Sequence, residues 1–249
     1  MEKLTSRKSA VIREFRDLAR FSSLREEKGL FLCDGRKLLT EALRSGALVE
    51  TVLWKEERDA QAPSFPQEYL LPSDLFDYVS PMSNSPGPLF TVRMPSPPDL
   101  KAIRKVLALE ELQDPGNVGT VLRTADAFNV DLVVLLGGCA DLYAPKTVRA
   151  SMGAVFRQPA VRMDASKLLT FCKEQGLPLY GTALTASARD LREVPLNRAA
   201  VLIGSEGHGL SRELLQACDG ELIIPMTGEA ESLNAAVAAA VVMWEMQRG

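Results

Sequence analysis

Four cysteines, one histidine and no long apolar run set the first constraints on this 249-residue chain. Cys33, Cys139, Cys172 and Cys218 lie far apart and never form C-x-x-C, and His208 stands alone. A structural zinc site has almost no ligands to draw on, so no metal is expected, and a disulfide scaffold is excluded. Scattered thiols, with no apolar stretch after Met1-Glu2-Lys3-Leu4-Thr5-Ser6, fit a soluble protein of the reducing cytoplasm. The longest apolar run, Ala235 to Trp244, has 10 residues, against the ~18 needed to span a membrane.

What is present is ordinary for a globular chain: 46% apolar residues, 24% charged residues, and 29 Lys+Arg against 32 Asp+Glu for a formal charge of −3. That balance argues against binding nucleic acid through bulk charge but leaves room for a local basic patch. Residues 1–44 hold 11 Lys+Arg and 7 Asp+Glu. This excess reads equally well as a solvated helix face or as a nucleic-acid-facing patch.

Three prolines in Met94-Pro95-Ser96-Pro97-Pro98-Asp99 fit neither a helix interior nor a central strand. They divide the chain into residues 1–94 and 100–249. In the first part Val11, Ile12, Phe15, Leu18 and Ala19 fall at helical spacing. Strands are expected at Gly29–Cys33, Val49–Trp54 and Tyr69–Leu71, with a helix capped by Asp34 running to Arg44. That order suggests a small α/β sandwich. In the second part strands are expected at Val106–Leu109, Leu132–Leu136, Leu179–Ala183, Ala200–Gly204 and Leu222–Pro225. Helices are expected at Gly119–Phe128, Ser166–Glu174, Arg212–Ala217 and Leu233–Gln247. The alternation implies a mostly parallel sheet covered on both faces, whose ligands bind at the carboxyl ends of the strands.

Three polar segments follow such ends. The first, Asp114-Pro115-Gly116-Asn117-Val118-Gly119-Thr120-Val121-Leu122-Arg123, reads as turn chemistry with Asn117 as helix cap, plus an Arg suited to a phosphate or carboxylate. The second, Gly204-Ser205-Glu206-Gly207-His208-Gly209, brings backbone close to a ligand, but its G-x-x-G-x-G order is neither the dinucleotide fingerprint nor a P-loop. A lone His in such a turn is more often a bystander. The third, Ile223-Ile224-Pro225-Met226, leads to Ser232-Leu233-Asn234, with Ser232 as expected helix cap. The helix after it is apolar on every side, as in a large core or at a subunit interface. Together these segments contain no Ser-His-Asp set, metal cage or paired acids for hydrolysis. They suit a site that orients two substrates for group transfer.

In order and spacing the three segments resemble the motifs of the SpoU (TrmH) family of RNA ribose 2′-O-methyltransferases, within the SPOUT class. Asn117, Gly119 and Arg123 match the first motif, Gly204, Glu206 and Gly209 the second, and Ile224, Pro225, Ser232, Leu233 and Asn234 the third. Arg149-Ala150-Ser151-Met152-Gly153-Ala154 resembles an intermediate family segment. Residues from Leu4 to Leu43 are similar, more loosely, to an L30e-like substrate-binding domain, with Asp34-Gly35 where relatives commonly carry Glu-Gly.

The resemblance implies a C-terminal parallel-sheet SPOUT domain with a deep trefoil knot, joined to a small N-terminal L30e-like α/β domain. It implies S-adenosylmethionine as cofactor, held by Thr182, Ala183, Gly204, Glu206, Gly209, Ile224, Met226, Ser232 and Leu233. It implies a homodimer packed through the knot region and C-terminal helix, and an RNA substrate, ribosomal RNA favoured and transfer RNA possible. Arg123, Asn117, Glu206, Ser232 and Asn234 are the implied catalytic set, with Arg123 lowering the pKa of the 2′-hydroxyl. Two rivals stand beside this reading: a non-catalytic RNA-binding or ribosome-assembly protein that has kept the fold, and another nucleotide-binding α/β enzyme.

Overall fold

The computed structural model describes residues 1–205, 207–228 and 232–248. The chain forms two compact units, one of Met1–Ser96 with Asp141–Phe156, the other of Pro97–Ala140 with the chain from Arg157 onward.

The first unit contains, in order, β1 (Glu2–Lys3), α1 (Ala10–Arg20), α2 (Ser22–Lys28), β2 (Leu30–Asp34), α3 (Arg36–Arg44), β3 (Val49–Lys55), β4 (Gln67–Leu71), α4 (Ser73–Val79) and β5 (Leu89–Arg93). Its sheet runs β1-β4-β3-β5-β2, parallel from β1 to β3 and antiparallel beyond. Alternation along β2 explains the sandwich. Leu32 faces Ile12 and Phe15 of α1 and Leu75 and Phe76 of α4, while Phe31 and Cys33 face Leu38, Leu39 and Ala42 of α3. Asp34 does not cap α3. Gly35, with φ +112°, takes that place, and Asp34 stays in the strand.

The second unit opens with β6 (Lys105–Glu110), α5 (Pro115–Ala127) and β7 (Leu132–Leu136). The chain then contributes α6 (Pro145–Ala150) to the first unit, which corrects the expectation of one unbroken second domain from residue 100. The cause is apolar burial and a paired charge. Val148 and Val155 complete the layer under Phe31 and Phe90, and Phe31 packs against Tyr143 with ring centroids 4.8 Å apart. Arg25, only 4% exposed, donates from Nε to Asp141 Oδ2 at 3.1 Å and from Nη1 to the Leu18 carbonyl at 2.5 Å. A buried guanidinium left without its carboxylate would be costly.

Back in the second unit follow β8 (Ala160–Arg162), α7 (Ala165–Gln175), β9 (Leu179–Thr182), β10 (Arg189–Asp190), β11 (Ala199–Ile203), α8 (Arg212–Ala217), β12 (Gly220–Ile223) and α9 (Ala235–Glu245). Seven strands form a wholly parallel sheet in the order β10-β12-β9-β11-β6-β7-β8. Its central strands β6, β11 and β7 are buried almost throughout, because helices cover both faces. Val106, Val134 and Leu202 pack against Leu168 and Phe171 of α7 and Leu214 of α8, and α9 lies on α5 and β11. The α9 helix is not buried all round. It covers Ala235, Ala236, Ala239, Val242 and Met243 but leaves Val237 49% and Trp244 61% exposed.

Candidate active site

Strands β12, β9 and β11 are neighbours in the parallel sheet, and the loops after their carboxyl ends surround one cavity of about 490 Å³. Thr182 and Ala183 come from the end of β9, Gly204 and Gly209 from the loop after β11, Ile224 and Met226 from the chain after β12, and Ser232 and Leu233 from the approach to α9. Hydrogen bonds hold these ends in place. Thr182 Oγ1 donates to the Leu202 carbonyl at 3.0 Å, and Ala183 N–H to the Leu222 carbonyl at 2.9 Å.

The loop after β11 turns back on itself. Ser205 and Gly209 exchange backbone hydrogen bonds of 3.2 and 2.9 Å, with Gly209 at φ +66°. A Cβ on Gly204 would stand 2.1 Å from the Gly209 carbonyl carbon and 2.3 Å from Leu210 N, so only glycine fits. At Gly207 and Gly209 a Cβ would meet nothing within 4 Å, and both line the cavity. Their backbone is thus presented to the open space. Glu110, at the end of β6, fixes the far side of the loop by accepting from Ser211 N–H at 2.7 Å. Ser211 in turn caps α8.

A second cavity, of about 470 Å³, lies across the same loop between Glu110, Asp114 and His208. His208 lines both cavities and is exposed. Asn234 Nδ2 donates to Asn117 Oδ1 at 3.3 Å, joining the first and third segments. Two expected caps are corrected here. Asp114, not Asn117, caps α5, accepting from Gly116 and Asn117 N–H at 2.5 and 3.1 Å, with Pro115 as the first helical residue. Asn234, not Ser232, caps α9, accepting from Ala236 and Val237 N–H at 3.0 and 3.3 Å.

Eight of the nine residues expected around a cofactor therefore line one cavity. Glu206 lies outside the described residues. Of the other expected residues, Asn117 and Asn234 are brought together and Ser232 lines the cavity. Arg123 sits on the exposed side of α5, lines neither cavity, and makes no hydrogen bond or ion pair among the described residues. Sequence reasoning missed Leu184, Leu210, Leu215 and Leu222 of the lining, which look like any core leucine. It missed Glu110 as well, although a charge ending an apolar strand is a signal.

Cys218 packs beneath β9, its Sγ 3.2 Å from where a Cβ on Gly181 would stand. Burial first, then the nearby Asp219 carboxylate, pushes its thiol up to about 12. It stays protonated at neutral pH and offers no thiolate nucleophile. Among the described residues no group of three or more His, Cys, Asp or Glu is placed to hold a metal, and no helix is long and apolar enough to cross a membrane.

A family model described as SpoU rRNA Methylase matches residues 104–244. The chain belongs to this family. It is 35% identical over 250 residues to the 23S rRNA (guanosine(2553)-2′-O)-methyltransferase RlmP of Bacillus subtilis (strain 168), covering 99% of this chain and 100% of that protein. Among solved structures, the AdoMet-bound rRNA methyltransferase from Sinorhizobium meliloti superposes with a TM-score of 0.87 at 26% identity, over 99% of this chain and 97% of that one. The SpoU methyltransferase AviRb from Streptomyces viridochromogenes gives 0.85 at 28%, over 96% and 97%. The SpoU match covers most of the parallel-sheet unit together with residues 141–156 of the first, and the whole-chain matches extend through the rest of the first unit.

Proposed function

We propose that this protein methylates a ribose 2′-hydroxyl of RNA, ribosomal RNA before transfer RNA, using S-adenosylmethionine held in the cavity at the ends of β9, β11 and β12. The observation that carries the reading is the convergence of Thr182, Ala183, Gly204, Gly209, Ile224, Met226, Ser232 and Leu233 on one cavity. Its volume of about 490 Å³ falls in the range of small-molecule sites. The residues present fit the group. Leu184, Leu210, Leu215 and Leu222 offer an apolar wall for a purine, and the exposed backbone of Gly207 offers hydrogen bonds without side-chain obstruction, while the N–H and carbonyl of Gly209 hold the turn. The relatives' printed names, an rRNA 2′-O-methyltransferase and an AdoMet-bound rRNA methyltransferase, point the same way.

When bound, the sulfonium supplies a methyl group already activated for attack by the ribose oxygen. The chain's own task is to align that oxygen and ease the loss of its proton. Asn117 and Asn234 hold each other across the two segments and position the acceptor. A guanidinium is a poor base at neutral pH, so Arg123 lowers the pKa of the 2′-hydroxyl by stabilising developing negative charge on the oxygen, and the proton leaves to solvent water. Replacing Arg123 with Ala is expected to lower methyl transfer by about 10²–10³-fold, the usual cost of removing one such donor, with calorimetric S-adenosylmethionine binding unchanged. Normal turnover in that variant removes Arg123 from the mechanism. Comparison of 2′-O-methyl maps of ribosomal and transfer RNA from cells with and without the protein tests the reaction itself.

The finer expectations belong to the same proposal. The knot enters the proposal through the family resemblance alone, and an L30e-like role agrees with the mixed α/β sandwich of the first unit. A homodimer through α9 is supported by the exposed stripe of Val237 and Trp244, one face of the helix at i and i+7. Val237→Glu with Trp244→Glu is expected to give a monomer in analytical ultracentrifugation. An unchanged sedimentation coefficient would place the interface elsewhere.

A further inference from the structure

Methyl transfer as described leaves one charged surface of the first unit without a task. Arg13, Arg16 and Arg20 recur at i, i+3 and i+7 on α1, which places them within about 60° of arc on a helix of 3.6 residues per turn. They flank the face that buries Ile12, Phe15 and Leu18. Arg7 joins them through Tyr78 of α4. The guanidinium carbons of Arg7 and Arg16 lie 4.3 and 4.0 Å from the centroid of the Tyr78 ring, and Arg16 also donates to the Tyr78 hydroxyl. Among the described residues none of these four arginines makes an ion pair.

The carboxylates on α1 and α4 make no ion pair with the cluster among the described residues, although Asp17, at i+4 from Arg13 and i−3 from Arg20, lies beside the row. Glu14 is held by Lys28 at 3.1 Å and Asp77 by Lys55 at 2.7 Å, and Asp17 and Asp74 are the others on these helices. Like charges gathered without partners repel one another, in a chain whose total is −3. A guanidinium engaged by an aromatic ring still has N–H donors for an anion, and the fixed ring lowers the entropy lost when that anion arrives.

We infer that this α1–α4 face is a docking surface for the RNA substrate. Arg7, Arg13, Arg16 and Arg20 grip the phosphate backbone, and Tyr78 is the brace that pre-sets Arg7 and Arg16. The inference rests on the reading that RNA is the substrate. A phosphate-gripping surface of this kind positions the RNA without reading its bases.

The test uses the full-length protein and a ribosomal RNA transcript, with binding measured across a salt series. Arg13→Ala with Arg20→Ala touches only exposed side chains. It is expected to reduce the slope of log affinity against log salt by about 2, one per arginine, and to weaken binding ~10-fold at low salt. S-adenosylmethionine binding and the methylation rate at saturating RNA stay at wild-type values. Tyr78→Leu is expected to weaken RNA binding several-fold, whereas Tyr78→Phe, which keeps the ring, retains most of it. Wild-type affinity and slope in the double variant would overturn the docking surface. A wild-type protein that methylates no RNA would instead overturn the proposed function, so the two failures are distinct.

Discussion

The two sheets treat their strand residues differently. In the second unit β6, β7 and β11 are buried and apolar along almost their whole length, and polar chemistry is displaced into the loops after the strands. In the first unit polar groups enter the strands. Asp34 at the end of β2 accepts from Ser80 Oγ at 2.8 Å and from the buried Ser85 hydroxyl. Trp54 of β3 donates its indole N–H at 2.9 Å to Glu68 of β4, which also accepts from Arg58 Nε at 2.7 Å. The central strands of a two-sided parallel sheet have no wet face on which to carry charge, so charged residues fall on its outer strands, Arg162 of β8, Arg189 and Asp190 of β10 and Glu221 of β12, and the site is built from backbone and loop geometry. A mixed sheet with open edges can use charge directly. The second unit is therefore expected to respond to changes of volume, the first to changes of charge, pH and salt.

The largest effect expected from this contrast is at Gly204. Ala there would drive a methyl carbon against the backbone of Gly209 and Leu210, with no flexible side chain to yield. Overpacking of about 3 kcal/mol is expected to lower the urea midpoint, and the displaced loop to weaken S-adenosylmethionine binding as read by calorimetry. A Gly204→Ala protein that binds normally would break the claim that the parallel unit works through tight backbone.

A smaller and pH-dependent effect is expected at Asp34. Burial raises its pKa above the usual carboxylate value, against the lowering influence of the Ser85 and Ser80 hydroxyls and of Arg149 and Lys55. The folded chain then binds this proton more readily than the unfolded chain. Stability contributed at Asp34 is present below the ordinary carboxylate value and falls as pH rises through the raised one, after which it is level. In Asp34→Asn that slope disappears. Urea midpoints followed from pH 4 to 7 are expected to diverge, with wild type losing ground to the variant as pH rises. Parallel curves would show that charge in the strand is not what sets the first sheet apart.

The smallest effect is a local control. Asp164 caps α7 by accepting from Lys167 N–H at 2.8 Å, on the surface of the second unit. Asp164→Ala is expected to cost about 1 kcal/mol, the ordinary value of a cap, with no change in cofactor binding. A cap whose loss weakened S-adenosylmethionine binding would mean that charge also reaches the site of the parallel unit.

Much of the fold was legible because its signals are local. The helix Arg212–Ala217 and the strand Leu132–Leu136 have the bounds expected of them, and the other four strands expected in the second unit are present with ends shifted by a residue or two. The elements that escaped, β1, α2, α4, β5, α6, β8 and β10, are each seven residues or shorter, too short for a hydrophobic period to stand out. The misplaced caps have a different cause. Asp114 and Asn117 are both good cap residues three positions apart, as Ser232 and Asn234 are two apart. Pro115 at the first helical position was the cue that favoured Asp114.

The sequence by itself determined which chemistry is available: three polar strand-end segments, an arginine six residues past Asn117, amides in place of paired acids, and a row of arginines at helical spacing. Those are properties of residue type and of neighbours within a turn or two. Tertiary structure alone decided that the ends of β12, β9 and β11 meet around one cavity, that residues 141–156 return to the first unit, and that Tyr78 braces arginines from two places in the chain. Strand order in a parallel sheet is set by crossovers of a dozen residues or more, and no spacing along the chain encodes which crossover lands beside which.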